Sequence, residues 1–127
     1  RISPSSVIIH KDIFNKVGLF NEKLPVCEDY DLWLRIAEKF PVLYLDEKLT
    51  IKYGGHLNQL SKKYWGMDRF RIIALENIIK KNFLLKKNKQ LVKKILKKKI
   101  NIYLQGLKKR NKKKEIIYYE NKVKKYD

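Results

Sequence analysis

The sequence predicts an α/β to α+β domain with few short strands, followed by a mostly helical, strongly basic tail. Three observations lead there. In the first half, short β-branched runs alternate with brief helical patterns. From Tyr64 onward, apolar residues recur in three- and four-residue steps nearly to the end of the chain. The net charge of +18 is also unevenly placed: residues 1–61 hold 8 Lys/Arg and 8 Asp/Glu, whereas residues 62–127 hold 23 and 5. Such asymmetry marks two functional parts, and the expected division is 1–63 and 64–127.

Residues 5–9, Ser-Ser-Val-Ile-Ile, have the composition of a short strand. Residues 11–17 read as a brief helix, with Asp12 as its cap and Gly18 as its stop. A loop over residues 20–25 then feeds Cys27-Glu28-Asp29-Tyr30-Asp31-Leu32-Trp33-Leu34-Arg35. Leu32, Ile36 and Phe40 follow at helical spacing, so the three carboxylates open a helix rather than sit inside one. Acids are favoured there because the first-turn N–H groups lack partners and the helix dipole is positive at that end. Asp31 and Arg35 are four apart, acid first, which is the favourable order for an ion pair. Glu28 and Asp29 have no such partner, which leaves them to face a ligand; simple capping is the plainer alternative. Asp29-Tyr30-Asp31 also spells an acid-any-acid metal string, but on a helix the two carboxylates point roughly 200° apart.

Pro41 ends this helix. Residues 42–45 and 49–53 read as two short strands joined through residues 46–48. Residues 54–61, Gly-Gly-His-Leu-Asn-Gln-Leu-Ser, form a polar loop whose glycines let backbone approach a ligand and whose His56 offers an imidazole. An ordinary turn with an exposed histidine is the alternative. No Cys/His cluster has zinc spacing.

In the tail, Ile72, Leu75, Ile79 and Phe83 form one stripe. Val92, Leu96, Ile100, Tyr103 and Leu107 form a second, and Ile116, Tyr119, Val123 and Tyr126 a third. Breaks are expected at Asn88 and over residues 108–114. The lysine-rich faces suit an anionic membrane surface or helices packed on the domain with lysine outward. Nucleic acid ranks below these, because no reading module is apparent and arginine, the better bidentate reader, is scarce.

Composition narrows the class further. At 44% hydrophobic and 12% aromatic the chain should fold. The single cysteine, Cys27, excludes an internal disulfide framework and fits a reducing, cytoplasmic setting, with a peripheral place on the inner membrane face if the tail docks there. No apolar run approaches the roughly 18 residues that span a bilayer. The chain starts at Arg1 rather than at a methionine, so its natural beginning is expected to lie upstream.

Four motifs occur in one order: residues 5–7, residues 14–22 (Phe-Asn-Lys-Val-Gly-Leu-Phe-Asn-Glu), residues 28–35 and residues 56–61. In this order and spacing they resemble the C-terminal portion of family 2 glycosyltransferases, over about residues 1–65. The resemblance implies a GT-A fold, a Rossmann-like α/β sandwich. It also implies inverting transfer of a sugar from a nucleotide-sugar to a glycan or lipid-linked acceptor, with a divalent cation (manganese or magnesium). By position, Asp29 would be the general base, and Glu28 would position the acceptor or the base. His56, Gln59 and Ser61 would lie at the diphosphate, with His56 as a candidate metal ligand. The family's nucleotide-binding half precedes these motifs, so the 127 residues alone are expected to be inactive. The other function class is a basic helical module that binds a membrane surface or a partner without catalysis. Self-association to a homodimer is a further expectation, since a partial domain exposes apolar surface.

Overall fold

A computed structural model of the chain describes residues 2–53, 63–81 and 84–126. The chain forms two compact units, Arg1–Trp65 and Gly66–Asp127. The first unit holds a 3-10 turn at Pro4–Ser6, helix α1 at Asp12–Val17 and helix α2 at Glu28–Lys39. The second holds α3 at Asp68–Lys80, α4 at Lys86–Lys108 and α5 at Lys113–Lys124.

The expected α/β to α+β architecture, and with it the GT-A sandwich, is not what the described residues form: they contain helices and no strand. Pro4–Ser6 turns instead of extending, because Pro at the first position presets a helical φ and the Ser6 N–H closes onto the Ser3 carbonyl at 3.0 Å. Residues 42–45 and 49–53 are non-helical and exposed, with Leu43 94% and Tyr53 79% accessible. β-branched and aromatic composition favours extended backbone, but a strand exists only through a ladder with a second edge. Neither segment finds that edge among the described residues.

In the first unit α1 packs against α2. Gly18 ends α1 at φ 81°, and its N–H bonds the Phe14 carbonyl. A residue with a side chain is strained at that φ, which is why glycine stands there. The buried residues are Leu24, Val26, Cys27, Asp31 and Leu32, gathered at the entry to α2. Lys39 Nζ donates to the Lys16 carbonyl at 3.2 Å and ties the far end of α2 to the end of α1.

In the second unit α4 packs against both α3 and α5. Asp68, in the first turn of α3, pairs with Arg71 at 2.7 Å and with Lys99 of α4 at 3.1 Å. The start of α3 thus lies beside the later part of α4, so the two helices run antiparallel. The core is Ile72, Ala74, Leu75 and Ile78 from α3 with Leu96, Ile100, Tyr103, Leu104 and Leu107 from α4. The expected first stripe shifts by one: Ile78, not Ile79, is the buried residue, and Phe83 lies outside the described residues. Asn88 does not break α4, which begins at Lys86; the first turn tolerates Asn because its N–H groups are unpaired in any case. Gly66, at φ 64°, lies against Tyr103: a Cβ there would meet the ring at 2.6 Å.

Candidate functional site

The mouth of α2 is set by its N-cap. Cys27 is buried and left-handed, at φ 62° and ψ 21°. That conformation is uncommon for a residue with a Cβ. It turns the chain sharply from the buried Leu24 and Val26 into the first helical turn, where Glu28, Asp29 and Asp31 follow.

The three carboxylates have different surroundings. Asp31 is buried, and its Oδ2 accepts from Arg35 Nε at 2.9 Å. Both side chains of this pair are nearly closed off, at 7% and 11% exposure. The Arg35 guanidinium continues past Asp31 to the end of α1. It donates to the carbonyls of Val17, of Gly18 at 3.2 Å and of Leu19 at 2.7 Å. One planar fork thereby fixes the α1–α2 angle and satisfies carbonyls that the end of α1 leaves open. Asp29 is half-buried, and its Oδ1 accepts the Tyr30 N–H at 2.7 Å. Among the described residues it has no cationic partner. Glu28, also half-buried, has no hydrogen-bond partner among them. Two acids therefore stand at the mouth with carboxylate oxygens to spare, three positions and two positions before the locked Asp31–Arg35 pair begins.

Trp33 and Leu34 are half-buried. His56, Gln59 and Ser61 lie outside the described residues. Among the described residues no three His, Cys, Asp or Glu side chains gather as a metal site, and Asp31 is already committed to Arg35. On their own the described residues supply no three-ligand cation site, and the candidate ligand His56 lies outside them. The pairing of Arg35 with Asp31 was expected from spacing. Its bridge to α1 was not, because the partners are 16 to 18 positions away.

The sequence matches the glycosyltransferase like family 2 over residues 1–123. An "uncharacterized glycosyltransferase" of Rickettsia felis is 43% identical over 58 residues, which are 46% of this chain and 10% of the relative. A protein of the same description from Rickettsia conorii is 43% identical over 58 residues, 46% of this chain and 9% of its own length. One from Rickettsia bellii is 40% identical over 58 residues, 46% of this chain and 8% of its own. The aligned part is thus about a tenth of these relatives. No solved structure matches. The matched pattern runs on from the α2 mouth through the basic helices, further than the four motifs alone reach, and the chain belongs to the glycosyltransferase-like family 2.

Proposed function

We propose that this chain supplies the acceptor side of a sugar transfer from a nucleotide-sugar to an acceptor hydroxyl, with inversion, and that Asp29 is the general base. In this reading Asp29 takes the hydroxyl proton as the acceptor oxygen bonds to the anomeric carbon and the bond to the diphosphate breaks. Glu28 positions the acceptor or the base. His56, Gln59 and Ser61 attend the leaving diphosphate, where positive charge or donors are required, and His56 is the candidate ligand for a divalent cation.

The observation that carries the proposal is the contrast between neighbouring acids. Asp31 is neutralised and buried by Arg35, whereas Asp29, two residues earlier, holds only a local backbone bond. A base must be ionised, reachable and uncommitted, and of the three acids at this mouth Asp31 is the one that fails.

The test is Asp29→Asn in a transferase whose chain includes these residues, assayed with radiolabelled nucleotide-sugar. The expected kcat falls about 10²–10⁴-fold, the usual share of base catalysis, with donor KM nearly unchanged. A variant that keeps kcat within a few-fold of the wild type, with helicity intact, would end the assignment of Asp29 as base.

A further inference from the structure

Helix α4 carries nine lysines and no acidic residue over Lys86–Lys108. Its inward edge is Leu96, Ile100, Tyr103, Leu104 and Leu107. At about 100° per residue the opposite edge is Lys87, Leu91, Lys94, Lys98, Ile102 and Gln105, and all six are exposed. They recur in steps of three and four, as the buried edge does. The helix therefore has two stripes, one facing the unit's core and one facing outward over ~27 Å.

The outward stripe is not an ordinary solvated face. Leu91 and Ile102 are 56% and 43% exposed; Leu91 stands between Lys87 and Lys94, and Ile102 follows Lys98 by one turn. The ion pairs of α4 go elsewhere, Lys99 to Asp68 and Lys108 to Glu120. Lys87, Lys94 and Lys98 have no acidic partner among the described residues. No described helix is long and apolar enough to cross a membrane.

We infer that this outward stripe of α4 docks in the plane of an anionic phospholipid surface. Lysine ammoniums meet the lipid phosphates while their stems and the two aliphatic side chains enter the headgroup region. Charge complementarity gives the attraction, and Leu91 and Ile102 select the occupant. A nucleic-acid backbone would use the lysines and leave those two side chains in water, and α4 has no arginine for reading bases. The inference stands on α4 alone and does not depend on Asp29.

The intact chain is mixed with vesicles of phosphatidylcholine, with and without phosphatidylglycerol, and sedimented. Expected is binding to the anionic vesicles only, reversed by about 0.5 M salt. Lys87→Gln/Lys94→Gln/Lys98→Gln weakens it about a hundredfold. The same loss of charge off the stripe, Lys112→Gln/Lys113→Gln/Lys114→Gln, weakens it far less. Leu91→Ser/Ile102→Ser weakens it several-fold with circular dichroism unchanged. Equal weakening by the two lysine triples would overturn the proposal, as it would show net charge at work rather than a face. So would displacement of the protein from vesicles by polyuridylate together with no effect of Leu91→Ser/Ile102→Ser, which would point to nucleic acid.

Discussion

Arg35 holds Asp31 and three carbonyls of the α1 end at once, from a nearly closed position. Arg35→Ala strands a buried carboxylate and removes three donors. A broken buried pair costs about 3–5 kcal/mol, mostly for the charge left behind. The loss is to be read from urea unfolding followed by tryptophan fluorescence, with Trp33 on α2 as one reporter. Arg35→Lys is expected to fall between, since an ammonium keeps the charge and loses the fork. A change under about 1 kcal/mol for Arg35→Ala would mean that the bridge does not hold the unit. At this scale the spacing of Asp31 and Arg35 was legible, because i,i+4 neighbours on a helix touch whatever surrounds them. The left-handed Cys27 was not, because nothing in the local sequence singles out this non-glycine residue for positive φ.

Helix α5 packs on α4 and is also tied to α3 through one acidic group. Glu76 accepts from Lys122 Nζ at 2.8 and 2.9 Å and from the Tyr126 hydroxyl at 2.9 Å. Tyr119 stacks edge-on against Tyr103, whose hydroxyl reaches Glu115 at 3.2 Å. Burial, and then the nearby Tyr103, pushes the Tyr119 phenol up to about 12. Burial and the Glu76 hydrogen bond raise Tyr126 to about 12 as well. For Lys122, burial pulls downward, but the bonds to Glu76 and Tyr118 outweigh it and the net direction is up. Raised groups give stability that is whole below the unfolded values near 10 and is lost as pH climbs through about 12. Helicity should therefore decline between pH about 10 and about 12. Lysines discharge in the same range and relieve repulsion, so the informative quantity is a difference. Tyr119→Phe/Tyr126→Phe should start less stable at pH 7, having lost a Glu76 bond, and lose less on alkalinisation, as followed by circular dichroism. An identical alkaline loss in variant and wild type would remove these phenols from the account.

The stripes on α4 and α5 were readable because a helix repeats its own geometry every few residues. The Glu76 cluster was not, since 46 and 50 positions separate the partners. Residues 42–53 mislead for the same reason in reverse. Their composition reports a local preference for extended backbone, whereas a sheet is made by neighbours that composition does not name.

At the scale of the molecule, the two units differ in kind. The first gathers acids at a helix mouth, and the second carries most of the positive excess of the chain. The family match spans both, yet the aligned segment is about a tenth of the curated relatives. In the reading proposed above, the donor's nucleoside needs contacts beyond these acids. Calorimetry of the 127-residue chain with a sugar nucleotide and manganese is accordingly expected to show no tight binding. Submicromolar affinity would place a full donor site within these residues and overturn that expectation. Of the candidate site, the α2 carboxylates were legible because first-turn acids follow from helix-end electrostatics.

Cys27 is the only thiol in the chain, and it is 5% exposed at the hinge between the loop and α2. A thiol reagent can reach it only when that corner opens. The rate of alkylation under native conditions is therefore a built-in clock for breathing of the acidic mouth, recorded at one atom with no probe to install.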